Sequence, residues 1–234
     1  MTRRRASILA GIAVVAAAGL GAGVAIAATS GGGPAPNSTV ATSPGGPGYS
    51  YYRSMMGTSA DPGQFMGRLW ANAPGPRVST SQAAALGTQV PAGARIDQAS
   101  RTITFTTDSV HLAAVASPAG GPDETFRIAG MVNPAVVVPA GAMVSIQVIN
   151  ADPDTAHGLV VTASSGQTSW MPMMTSRPAF TGSALWFLGN PTTAGMHAGT
   201  LTFTAATPGT YHYLCPVPGH AQKGMTGTFT VSPS

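Results

Sequence analysis

From about residue 90 onward, short apolar runs alternate with turn residues. Ile103 and Phe105, and then Val144, Ile146 and Val148, recur at every second position, the period of a strand with one buried face. The pattern predicts strands at 94–98, 101–106, 110–116, 125–129, 135–138, 143–150, 158–163, 200–204, 210–215 and 226–231. Ala99-Ser100 closes the first two into a hairpin, and Pro139-Ala140-Gly141 and Pro208-Gly209 punctuate later ones. Short, regularly spaced strands rich in β-branched residues predict an all-β antiparallel sandwich or barrel over 90–234.

Upstream the pattern changes. Asp61 followed by Pro62 reads as an N-cap with proline at the first helical position, opening a short helix through Phe65, Leu69 and Trp70. Ser79 or Thr80 caps a second helix over 82–86, ended by Gly87. Residues 53–89 therefore form a short, partly helical N-terminal extension. Residues 29–52 are dominated by Gly, Pro, Ser and Thr, the composition of a flexible linker. In 1–28, Arg3, Arg4 and Arg5 precede an uncharged apolar run ending near Ala25-Ile26-Ala27. That is a signal peptide or an N-terminal membrane anchor. Either puts the rest of the chain outside the cytoplasm: in the periplasm, on the outer face of the membrane, or secreted.

Charge adds an exclusion. The formal net charge is +4, but the three N-terminal arginines supply most of it, leaving 8 basic against 7 acidic side chains. There is no basic stripe and only one lysine, Lys223, so nucleic-acid binding has no footprint. The single cysteine excludes an internal disulfide; in an exported chain it is a ligand or an exposed thiol.

Its neighbours point to a ligand. Cys215-Pro-Val-Pro-Gly-His220-Ala-Gln-Lys-Gly-Met225 sets a thiolate, an imidazole and a thioether at fixed intervals on one short loop. That donor set suits a soft metal, above all copper, and a mononuclear blue-copper centre needs a second imidazole. His157, at the start of the predicted 158–163 strand, supplies it. His212 alternates to the face opposite Cys215, while His111 and His197 have structural roles. Met225, after Gly224, is placed as the weak axial ligand. The run Trp170-Met171-Pro172-Met173-Met174 forms an apolar wall around the site. His220, on the returning loop, presents its ring edge at the surface.

The segments Pro208-Gly-Thr-Tyr-His-Tyr-Leu-Cys215-Pro-Val-Pro-Gly-His220 and Gly224-Met225 resemble the cupredoxins, among them most closely the rusticyanins, with the sulfocyanins as runner-up. The likeness extends to Val138-Pro-Ala-Gly-Ala142, to Ile149-Asn150 leading into His157, and to Met171-Pro172, covering about residue 78 to the end. It implies a cupredoxin-like Greek-key β-sandwich and one type 1 copper held by His157, Cys215, His220 and Met225. It also implies one-electron transport in a respiratory chain, with redox partners such as c-type cytochromes or a terminal oxidase. Gly158 departs from the family: a serine usually follows the upstream histidine. Asp152 stands where a hydrogen-bonding amide is expected. An enzyme of the multicopper oxidase or copper nitrite reductase type is disfavoured, because Leu214 and Pro216 flank the cysteine where histidines would carry electrons onward. The other alternative is extracytoplasmic copper binding and delivery through the methionines.

Overall fold

A computed structural model of the chain describes residues 61–164 and 171–233. Its strands are β1 Arg77–Val78, β2 Ala94–Asp97, β3 Thr102–Phe105, β4 Ser109–Ala116, β5 Phe126–Ile128, β6 Met131–Val132, β7 Ala135–Pro139, β8 Met143–Asn150, β9 His157–Thr162, β10 Ala184–Leu188, β11 Met196–Thr204, β12 Gly209–Leu214 and β13 Thr226–Ser232. They form a six-stranded sheet in the order β1-β11-β8-β4-β5-β6 and a seven-stranded sheet in the order β10-β9-β12-β13-β7-β3-β2. Alternation explains how the sheets close on each other. Ile103, Phe105, Val144, Ile146 and Val148 all turn inward and are at most 3% exposed. Rings meet between the sheets: Phe126 on β5 packs edge-on against Tyr213 on β12, and Phe203 on β11 against Phe229 on β13. Each such fully buried aromatic or branched side chain contributes about 2 kcal/mol of transfer free energy. The result is the expected all-β sandwich.

The expectation of purely antiparallel sheets is corrected. β4 runs parallel to β8, and β7 runs parallel to both β3 and β13. Residue alternation reports which face of a strand is buried, not the direction of its neighbour. Here the connections from β3 to β4 and from β7 to β8 cross between the sheets, which lets parallel partners meet. β1, β6 and β10 are additional strands: two are only two residues long, and Ala184–Leu188 shows no alternation.

The helical expectations hold at their starts. Asp61 caps α1 (Pro62–Leu69), its Oδ1 accepting from Gly63 N–H at 2.8 Å. Ser79 and Gln82 form a capping box on α2 (Thr80–Thr88). Gly87 does not end that helix, which runs one residue further. The buried residues of α1 are Pro62, Gly63, Met66 and Gly67, whereas Phe65, Leu69 and Trp70 are exposed. α2 lays Ala83 on the outer side of the six-stranded sheet, against Val115, Ile149 and Ala198. The predicted signal or anchor, the linker and Trp170 lie outside the described residues, among which no helix is long and apolar enough to cross a membrane.

His197 on β11 is buried and its Nδ1 accepts from Gly189 N–H at 3.2 Å. Burial, aided by the Arg77 charge, pushes the imidazole below its ordinary range. The unfolded chain takes up that proton near pH 6.5 while the folded chain does not, so stability falls as pH drops through that range. Denaturant midpoints of the metal-free protein should therefore fall between about pH 8 and 5.5 more steeply than in a His197→Gln variant. Identical slopes would contradict this role.

Candidate metal centre

Cys215 lies just beyond β12, and Met225 just before β13. β12 and β13 are antiparallel partners, so the eleven-residue segment that joins them must turn back on itself. Cys215 N–H donates to the Met225 carbonyl at 3.0 Å, tying the two ends together. Met225 N–H donates to the His220 carbonyl at 3.0 Å, and His220 N–H to that of Val217 at 3.2 Å. Gly224, at φ +104°, takes the left-handed turn into Met225 that a side chain would resist. Asn133 holds the loop from the other sheet, its Nδ2 donating to the Gly224 carbonyl at 2.9 Å. His157 opens β9, which pairs with β12 and so carries its imidazole to the cysteine.

The three predicted nitrogen and sulfur donors converge. Nδ1 of His157 lies 3.7 Å and Nδ1 of His220 3.4 Å from Cys215 Sγ, and the two nitrogens are 3.2 Å apart. The point equidistant from all three lies about 2 Å from each, near the ~2.0–2.3 Å that imidazole nitrogen and thiolate keep from a first-row ion such as zinc. Each of the three residues is at most 1% exposed. Burial pushes the Cys215 thiol up to about 12, against the N–H groups of Gly158 and Val217 that favour the thiolate. Burial, with the His157 and Lys223 charges, pushes His220 well below its ordinary range. Both shifts oppose bare charge in this pocket: a cation bound at the common point offsets the first by stabilising the thiolate, while the second already leaves His220 as the neutral imidazole that ligates. Met225 is fully buried in the same core, and its thioether is the candidate fourth donor. Two imidazoles, one thiolate and a thioether fit copper.

Behind the donors lie groups that sequence reading left without a role. His157 Nε2 is 3.1 Å from Asp152 Oδ2 and 3.2 Å from Ser117 Oγ. An ionised carboxylate can only accept, so Nε2 carries the proton and Nδ1 turns its lone pair to the centre. Burial works against the Asp152 charge, yet the His157 hydrogen bond and local N–H donors outweigh it and hold the acid far below the usual carboxylate range. Its Oδ1 accepts from Asp154 and Thr155 N–H at 3.1 Å each. Asn150 fixes the turn, donating to the Thr155, Leu188 and Gly189 carbonyls at 2.9–3.1 Å. On the other imidazole, Glu124 Oε1 lies 3.9 Å from His220 Nε2 and 2.6 Å from Lys223 Nζ. Ser117 and Glu124 are far from the ligands along the chain, and no spacing signals them.

Gly158 acquires a physical reason. A Cβ there would stand 2.2 Å from the Trp186 carbonyl oxygen and 2.5 Å from that of Leu185. The register of β10 against β9 shifts between Leu185 and Leu188, so β10 occupies the space a serine side chain would need. Of the two histidines read as structural, His111 is exposed on β4 and His197 is buried on β11. Within the methionine run, Met173 packs on the core and its N–H donates to the Pro216 carbonyl, while Met174 is exposed. The wall is partial.

One expectation is overturned. His220 does not present a ring edge at the surface: it is 1% exposed. Gly63 of α1 sits against it, so close that a Cβ on Gly63 would be 3.0 Å from His220 Nε2. The loop does return His220 toward that end of the sandwich, but α1 covers it.

Asp152→Ala removes the acceptor that orients His157 and should weaken metal binding by about 10- to 100-fold in a chelator-competition titration. Asp152→Asn, which keeps an acceptor, should lose less. Parent-like affinity in the alanine variant would contradict the assigned role.

Comparison with known proteins agrees with this geometry. Residues 99–234 match the sulfocyanin (SoxE) domain. Rusticyanins of Acidithiobacillus ferrooxidans and Acidithiobacillus ferridurans are each 33% identical over 131 residues, 56% of this chain and 67% of theirs. Auracyanin-B of Chloroflexus aurantiacus is 53% identical over 36 residues, 15% of each chain. Among solved structures, the copper protein rusticyanin superimposes with a TM-score of 0.55 at 25% identity, over 67% of this chain and 97% of that one. Reduced rusticyanin in solution gives 0.55 at 28% identity, over 67% and 96%. The chain belongs to the cupredoxins, in the group formed by the sulfocyanins and rusticyanins.

Proposed function

We propose that the centre is a mononuclear type 1 copper site held by His157, Cys215, His220 and axial Met225, and that the protein shuttles single electrons outside the cytoplasm in a respiratory chain. The observation that carries this reading is the buried triangle of two Nδ1 atoms and one Sγ with sides of 3.2–3.7 Å. When bound, copper supplies one-electron chemistry between Cu(II) and Cu(I), and no substrate is transformed.

The chain's own residues provide the rest. The Cys215–Met225 and Met225–His220 backbone bonds hold the donors in one arrangement, which keeps rearrangement small when the charge changes. Asp152 fixes the His157 tautomer and ring orientation. The N–H groups of Gly158 and Val217 stabilise negative charge on the sulfur. Val217, Met225 and the surrounding core exclude water, which disfavours the more highly charged oxidised site and raises its potential. Redox proteins such as c-type cytochromes or a terminal oxidase are the expected partners. The N-terminal 28 residues, read as signal or anchor, support the extracytoplasmic placement.

The copper-loaded protein should hold one copper, show the intense visible band of a thiolate–copper(II) bond and a type 1 electron-spin-resonance signal, and cycle reversibly. Cys215→Ser should abolish the band; His220→Ala should lose the band or the electron exchange. A parent binding several coppers without reversible cycling would favour copper delivery instead, and a colourless one would leave a β-sandwich with a free thiol.

A further inference from the structure

α1 lies outside the matched sulfocyanin domain, which begins at residue 99, yet it is built onto the metal centre. Its contact surface is made by Gly63, Met66 and Gly67. The Gly63 carbonyl accepts from Ala156 N–H at 2.9 Å, next to the ligand His157, and the Gly67 carbonyl accepts from Asn190 N–H at 2.9 Å. No larger residue fits. At Gly67 a Cβ would stand 1.9 Å from Asn190 Oδ1 and 2.9 Å from Ala156 N, and at Gly63 it would stand 2.6 Å from Thr155 Cγ2. Gly63 brings the helix backbone down onto the His220 imidazole, the ligand on the loop, and Gly67, one helical turn on, seats it against Asn190 and Ala156.

On the side away from Gly63 and Gly67 α1 carries Phe65 and Leu69, exposed by 38% and 63%, and Trp70, 44% exposed, follows as its C-cap. Three of the six exposed large apolar side chains among the described residues therefore fall on this one short segment. Arg68 is the helix's only charged side chain. Electron transfer weakens steeply with distance, so a partner gains most by landing where the covering layer over a ligand is thinnest. On the Gly63 side that layer is a single helix, bordered by the Glu124–Lys223 pair, whose carboxylate lies 3.9 Å from His220 Nε2.

Resting on the reading of the site as a blue-copper electron carrier, we propose that α1 is the electron port: electrons cross from His220 through the Gly63 turn to a redox protein seated on Phe65, Leu69 and Trp70. The partner surface it fits is apolar and sparsely charged, since α1 offers one cation and no anionic side chain within the helix. Docking there is driven by apolar burial and depends little on ionic strength. Gly63 and Gly67 are positioning residues that set the distance from the ligand to the docking face.

The test is electron self-exchange between oxidised and reduced copies of the full copper-loaded chain, a second copy serving as the apolar-faced probe. A Phe65→Gln/Leu69→Gln double variant changes exposed side chains only and should keep the parent's visible band and potential. Its self-exchange should fall at least tenfold. Met143→Gln serves as the control: Met143 is 59% exposed and starts β8, whose other end, Asn150, is the one near the centre. It should exchange as fast as the parent. A double variant as fast as the parent, or a control slowed as much, would overturn the port. Gly67→Val tests the cover itself. Lifting or unfolding α1 should expose His220 and speed reduction of the oxidised protein by hexaammineruthenium(II), a small hydrophilic reagent, severalfold. An unchanged or slower rate would overturn the cover. A parent with no blue band would instead refute the copper reading, an outcome separate from these.

Discussion

The structure depends on one constraint: two imidazole nitrogens and a sulfur brought to a common point in a water-free interior. Such atoms do not gather there unaided, because a buried thiolate or imidazolium without a partner is costly. The burial-driven shifts of Cys215 and His220, one up and one down, express that cost in the absence of a cation. Neighbouring elements serve the convergence. β9 and β12 pair so that His157 reaches Cys215, and the Cys215–Met225 backbone bond closes the loop. Asn150 and Asp152 hold the His157 side in place, and Asn133 anchors the loop to the facing sheet.

Much of this was legible in the residues, and the reason is local. Val144, Ile146 and Val148 reveal β8 because a half-buried strand imposes a two-residue period. Cys215, His220 and Met225 reveal the loop because all three donors come from one short stretch. Asp61 and Ser79 reveal helix starts because caps are chemistry at one position. What was not legible is non-local. Parallel pairing of β4 with β8, or of β7 with β3 and β13, leaves no mark on alternation. Ser117 reaches His157 across 40 positions of sequence, and nothing near it announces the contact.

The burial of His220 is the most instructive departure. The apolar residues of α1 that draw the eye, Phe65, Leu69 and Trp70, are the exposed ones. The buried surface is made by glycines, which carry no hydrophobic signal and act through the closeness of approach they permit. A sequence pattern weighted by hydrophobicity therefore assigns α1 the wrong face and leaves His220 uncovered. Gly158 teaches the same lesson inside the sandwich: the space its missing side chain leaves is filled by β10 carbonyl oxygens. A serine in its place would meet backbone, which cannot yield cheaply.

These features make the cupredoxin frame and the covering helix parts of one design. The frame preorganises the donors, and the helix decides what the outside can reach. The most direct test of the central claim is a crystal structure of the copper-loaded protein compared with the metal-free one. The account predicts a single copper between His157 Nδ1, His220 Nδ1 and Cys215 Sγ, with the three side chains in nearly the same positions in both forms and α1 over His220. A copper bound elsewhere, or a ligand loop that must refold to bind it, would contradict the account.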